Sequence, residues 1–234
     1  SILRANRPLW VGLRAIGNIA AVYLFFFGIQ HTSVSKANLL NMTYPVFVFV
    51  MAPFITREKP KIITILLLLL TMTGVWNVVR PPEKFVFSEI AFGDILAFSS
   101  AILAGFSIAV LRRARSYDSG PTIIFYIMLI GALTNVVFLF GKPLPSPDFL
   151  LAIFGAGLLG TLGQYSLTAG FAHVTAPTGA LLSTSRILMA IPLGIVLFGD
   201  VISKRTILGA VLIVVSLVGA SLIERRRYVS SSRQ

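Results

Sequence analysis

Among the twenty lysines and arginines of this 234-residue chain, Arg186 has the most unusual setting. It lies inside the apolar stretch Ala176–Phe198, about 1.5 Å from the midpoint by helical rise. A guanidinium at that depth cannot reach an interface. At mid-bilayer it costs about 2.5–3.5 kcal/mol on insertion scales, so it must face a protein interior or a wet cavity. The chemistry it offers is a planar fork of donors that can hold a carboxylate or a phosphate. A tie to backbone carbonyls or amides of a neighbouring helix is the competing role. All eight carboxylates (Glu58, Glu83, Glu89, Asp94, Asp118, Asp148, Asp200 and Glu224) sit at or near the ends of apolar stretches, so none is an evident counter-ion.

Uncharged polar residues at similar depth complete a candidate substrate-binding set. Asn38, Asn41 and Tyr44 recur at three-residue spacing and so share one helix face. Gln164 and Tyr165 cluster with Thr168, and Ser183 lies one turn before Arg186. For each of these, hydrogen bonding between helices competes with substrate contact. Ser99, Ser100, Ser107 and Asn135 read as packing contacts, and His31 and His173 as interfacial residues. Catalysis finds no support. There is no paired carboxylate, no nucleophile beside a base and no Gly-rich phosphate loop, and zero cysteines removes thiol chemistry and thiolate metal sites. No cofactor and no metal site are expected.

The elements that must position these residues are set by composition. Apolar residues make up 56% of the chain and charged residues 12%, with a mean hydropathy of +0.89. A soluble domain carries about twice that share of charge. A helix needs about 20 apolar residues to cross the hydrocarbon core. Eight stretches qualify: Trp10–Gln30, Ala37–Phe54, Ile62–Val79, Ile90–Leu111, Pro121–Phe140, Phe149–Ala172, Ala176–Phe198 and Thr206–Ile223. The connections between them are too short for a soluble domain. The net charge of +12 comes from short basic clusters between these stretches, the pattern of membrane loops, so nucleic acid is not an expected partner. Alternating sides at each span puts thirteen basic residues, Arg4, Arg7 and Arg14 among them, on the side of both termini and six on the other. That bias places both termini in the cytoplasm. Gly155, Gly157, Gly160 and Gly163 form a small-residue stripe expected to admit a close helix neighbour. Pro45 and Pro192, inside spans, are expected to bend them.

A shift of about 142 residues brings Tyr23 onto Tyr165, Gly28 onto Gly170, His31 onto His173, Leu39-Leu40 onto Leu181-Leu182, Glu58 onto Asp200, and Thr64-Ile65-Leu66 onto Thr206-Ile207-Leu208. Tyr44 then corresponds to Arg186. Matching spans are separated by an odd number of crossings, so the two copies enter the membrane from opposite sides, as in the inverted repeats of many secondary transporters. Ser33–Pro60, with Tyr44-Pro45 and a closing Arg57-Glu58, resembles the end of one EamA-type repeat. Thr175–Glu224, with Ala190-Ile191-Pro192 and a closing Phe198-Gly199-Asp200, resembles the end of a second.

The resemblance is to EamA-type proteins of the drug/metabolite transporter superfamily. It implies an all-α membrane protein whose eight transmembrane helices derive from a ten-helix inverted five-helix repeat, the first two helices missing; a natural eight-helix variant is the alternative. Residues 1–80 would hold the last three helices of the first repeat, 90–224 the complete second repeat, and 225–234 a basic cytoplasmic tail. The function implied is a secondary transporter moving a small polar or anionic metabolite by alternating access. A non-transporting membrane scaffold or lipid-interacting protein of the same fold is the other reading. Expected partners are a small-molecule substrate and the lipid bilayer, with a homodimer left open. The expected location is the bacterial inner (plasma) membrane.

Overall fold

The computed structural model describes residues 4–79, 90–139, 146–198 and 202–231. The described residues form ten helices: α1 (Pro8–His31), α2 (Val34–Asn41), α3 (Tyr44–Ile55), α4 (Ile62–Val79), α5 (Phe92–Arg115), α6 (Gly120–Leu139), α7 (Pro147–Gly170), α8 (Ala176–Ser183), α9 (Arg186–Phe198) and α10 (Lys204–Ser231). Two consecutive pairs, α2 with α3 and α8 with α9, each make one crossing, so eight helical stretches are long and apolar enough to span a membrane. Their ends fall within a few residues of the apolar stretches, because length and hydropathy both register the thickness of hydrocarbon directly.

Helix starts follow local chemistry. Pro8 and Pro147 stand in the first turns of α1 and α7, where a missing N–H costs nothing. The Ser33 hydroxyl accepts from Lys36 N at 3.2 Å to cap α2, and the Thr175 hydroxyl accepts from Thr178 N at 3.4 Å to cap α8. Those two caps are related by the same 142-residue shift. In the first turn of α5, Asp94 accepts from Ala91 N at 2.9 Å, from the Thr32 hydroxyl at 2.8 Å and from Lys36 Nζ at 2.5 Å.

The interior is built from small side chains, as expected where lipid supplies no hydrophobic drive and close van der Waals contact must hold helices together. Ala15, Ala37, Ala52, Ala97, Ala101, Ala109 and Ala180 are fully buried, while Phe54, Leu159 and Val196 point outward. Two glycine crossings fix the closest approaches. A Cβ on Gly93 of α5 would stand 2.7 Å from the Gly28 carbonyl oxygen of α1. A Cβ on Gly209 of α10 would stand 2.6 Å from the Gly74 carbonyl oxygen of α4. Beside the second crossing, the Thr71 hydroxyl donates to Ser216 Oγ at 2.7 Å, and Ser216 donates on to the Leu67 carbonyl at 2.8 Å.

The stripe on α7 departs from its expected role. A Cβ on Gly155, Gly157, Gly160 or Gly163 would meet nothing within 4 Å. Thr168 is the one buried residue of α7 among those described. Gly160 and Gly163 border an open cavity instead of a neighbouring helix.

Candidate functional site

The second and seventh spans are broken at their middles. The first break falls at Met42 and Thr43, the second at Thr184 and Ser185, again one 142-residue shift apart. At both, hydroxyls turn back onto the preceding carbonyls: Thr43 Oγ1 onto Leu40 O and Thr184 Oγ1 onto Leu181 O, each at 2.6 Å. The backbone tightens to three-residue turns there, with Thr43 N bonded to Leu40 O and Ser185 N to Leu182 O. Pro45, in the first turn of α3, suits the first break. Pro192 lies inside α9, seven residues beyond the second break, so it does not cause it. The half-helices after the breaks begin with Tyr44 and Arg186.

Those two residues meet. The Arg186 guanidinium carbon stands 5.0 Å from the Tyr44 ring centre, and Arg186 Nη2 lies 3.4 Å from Met42 Sδ. The Tyr44 hydroxyl is 2.5 Å from Ser183 Oγ, which itself donates to Ala180 O at 2.8 Å. No carboxylate pairs with Arg186 among the described residues. It faces a cavity of about 610 Å³ lined from α1, α2, α3, α5, α7, α8 and α9. Asn38, Asn41, Tyr44, Gln164, Ser183 and Arg186 all line it. A second cavity of about 610 Å³ shares Asn38, Met42 and Arg186 and runs on toward α4, α9 and α10. Arg186 therefore stands at the junction of two open spaces.

Tyr165 is the exception in the candidate set. It is 54% exposed and does not line the cavity. Successive residues on an α-helix are turned by about 100°, so Gln164 facing inward sends Tyr165 outward. Asn41 lines the cavity but its amide also donates to Ser100 Oγ at 2.8 Å, tying α2 to α5. The sequence reading missed Asn18 and Ser185, which also face this space.

The larger correction is Arg14. Counted above with the interfacial cluster of Arg4 and Arg7, it is in fact 1% exposed, within the span and on the cavity wall. Its Nη1 donates to Ser107 Oγ at 2.7 Å and its Nη2 to Gln164 Oε1 at 3.3 Å. Ser107 Oγ donates back to the Arg14 carbonyl at 3.0 Å. The available signal was position: Arg14 already lies four residues inside the apolar stretch that starts at Trp10. Proximity to the other N-terminal arginines disguised it.

With broken paired spans, a polar central cavity and an all-helical frame described, the comparisons with known proteins become informative. The sequence profile of the EamA-like transporter family matches residues 2–80 and 91–222. The chain belongs to the EamA-like transporter family. Solute carrier family 35 member G1 is 30% identical in Homo sapiens and 29% identical in Mus musculus, each alignment covering 97% of this chain and 65% of the relative. This EamA-like chain thus spans less than two thirds of the length of those two relatives. The pseudopaline exporter CntI of Pseudomonas aeruginosa is 27% identical over 88% of this chain and 72% of its own. One crystal structure aligns with a TM-score of 0.79 at 18% identity, covering 96% of this chain and 79% of the other, which speaks to fold alone.

At one end of the EamA-like bundle the helices are tied together. Arg57 takes a left-handed backbone, φ 61°, directly after α3. A non-glycine residue holds that conformation at a cost of about 1–2 kcal/mol, so its neighbours must fix it. Glu58 supplies the fixing. Its Oε1 accepts from Arg112 Nε at 2.9 Å, and its Oε2 accepts from Ala176 N at 2.7 Å and lies 3.2 Å from the Thr56 hydroxyl. Arg112 Nη1 donates to the carbonyls of Phe171 and Ala172 at 3.1 and 3.2 Å. One carboxylate thus joins the end of α3, the end of α5 and the start of α8.

Proposed function

We propose that this protein is a secondary transporter that moves a small polar or anionic metabolite across a membrane by alternating access. The observation that carries the proposal is Arg186. It is a guanidinium without a carboxylate partner among the described residues, at a helix break, between two cavities of metabolite size. Arg186 is exposed to the open cavity, so its draw on an anionic group rests on its charge and on the two parallel donors of its fork. Met42 and the Tyr44 ring hold it without neutralising it. Asn38, Asn41, Gln164 and Ser183 supply the directional donors and acceptors that orient the rest of the solute.

The membership in a family of transporters and the likeness to a Pseudomonas exporter support transport as the activity. The equal spacing of the two breaks and of the two hydroxyl caps supports residues 1–80 and 90–224 as arms of one inverted repeat, with 225–234 as a tail. Removing Arg14 from the interfacial count leaves twelve basic residues against six, still favouring cytoplasmic termini. On this reading the Glu58–Arg112 tie closes the cytoplasmic end while the cavities admit solute from the other side.

The test is reconstitution of the full-length protein in liposomes with a panel of metabolites. Saturable, competable flux is expected. Arg186→Gln should fold, and lose affinity for anionic solutes by about ten- to a hundred-fold, the weight of a charge-assisted contact. Arg186→Lys keeps the charge without the fork and should recover part of it. Leak-free liposomes with no flux across the panel would instead favour a non-transporting membrane scaffold.

A further inference from the structure

The cavity contains a second cation, for which the transport reading above has no use. Arg14 and Arg186 are the two cationic side chains lining it, and neither has a carboxylate partner among the described residues. Lys36 pairs with Asp94 and Arg112 with Glu58, and the described arginines Arg113 and Arg115, which like Arg14 lack a carboxylate, lie in the last turn of α5 outside the cavity lining. Arg14 is held by two neutral oxygens, and its Nε has no partner although it is buried. An ion taken out of water without a counter-charge is costly, and neutral acceptors recover part of that cost only. As a mere strut between α1 and α5, a charge is unnecessary. That helix pair is already closed by the Gly28–Gly93 approach and by the bond from Ser107 to the Arg14 carbonyl, which any residue at position 14 would offer.

We propose that Arg14 is a second anion-recognition group, so that the transported solute carries two anionic groups, as a dicarboxylate or a phosphorylated acid does. This rests on the transport reading and narrows its substrate class. Gln164 is the resident stand-in for the second anion. Its amide oxygen reaches Arg14 Nη2 at 3.3 Å, a long contact beside the 2.7 Å bond to Ser107. A carboxylate or phosphate oxygen taking that place substitutes a charged acceptor for a neutral one. Asn18, one turn from Arg14 on α1, lies on the same wall and can donate to the same group.

The experiment measures binding to purified full-length protein in lipid nanodiscs by calorimetry, with succinate, glutarate and butyrate as probes. Wild type should prefer the two dianions over butyrate by about ten- to a hundred-fold. Arg14→Gln should collapse that ratio to about one, whereas Arg186→Gln should weaken all three probes. Gln164→Glu gives Arg14 a resident carboxylate and should collapse the ratio in the same way. It decides the matter alone if Arg14→Gln does not accumulate. A ratio that survives either substitution overturns the proposal, as does wild type that binds butyrate as well as the dianions. Binding of none of the three probes by wild type would sink the anion-transport reading itself, and this inference with it.

Discussion

Replacing Glu58 by Gln tests whether the tie at the end of the bundle is a gate. The carboxylate takes donors from Arg112 Nε and Ala176 N, and lies 3.2 Å from the Thr56 hydroxyl, whose one proton has the Ala52 carbonyl as its nearer acceptor at 2.9 Å. The amide keeps a single acceptor oxygen, so either Arg112 or the start of α8 must face an NH₂ group. A hydrogen bond to a charged group is worth about 1.5–3 kcal/mol. The Arg112 and Glu58 side chains retain 26% and 16% exposure, so screening favours the lower part of that range. A loss of about 1.5–2 kcal/mol follows, roughly 12- to 30-fold in any equilibrium that makes the tie in one state and not in the other. Thr178, one turn into α8 and 3% exposed, reports on this opening. The chain has no cysteine, so Thr178→Cys introduces the single thiol. Its labelling by a membrane-impermeant maleimide should be slow with Glu58 present and faster by about that factor in Glu58→Gln. If the labelling rate stays the same while the melting temperature falls, the tie is a static brace and the gating argument is wrong.

Two further outcomes are expected. Gly209→Ala drives a methyl into the Gly74 carbonyl, a rigid backbone group, and should destabilise the protein by about 1–3 kcal/mol in detergent unfolding; Gly157→Ala, with no atom within 4 Å, should hold or raise the midpoint, because alanine is the better helix former. Tyr44→Phe removes the hydroxyl at Ser183 but keeps the ring under Arg186, whereas Tyr44→Leu removes both. Anion affinity should therefore fall more for Leu than for Phe, by about 0.5–2 kcal/mol, and equal losses would show that the ring does not hold the guanidinium.

Much of the architecture was legible because crossing a membrane imposes a length and a polarity that a sequence must declare. Asn38, Asn41 and Tyr44 reach one cavity because three-residue spacing shares a face, break or no break. The breaks themselves were hidden. The second has no proline or glycine at Thr184-Ser185, only hydroxyls whose inward turn depends on what packs around them. Periodicity also could not separate Gln164 from Tyr165 without knowing which way α7 is rotated. Arg14 shows the same limit: an arginine near a helix end looks interfacial until Ser107 and Gln164, distant in sequence, are seen closing over it. The glycines of α7 state that a helix could approach, but not that one does.

The α4–α10 crossing also sets an order of assembly. Gly74 leaves the ribosome about 135 residues before Gly209, an interval of roughly 7–27 s at ordinary elongation rates. Throughout that time α4 must wait in the membrane with its glycine face unmatched. The Thr71 hydroxyl can meanwhile donate within its own helix to Leu67 O, 2.9 Å away. When α10 arrives, Ser216 accepts from Thr71 and donates to the Leu67 carbonyl, and α4 is locked to a helix made about 135 residues later.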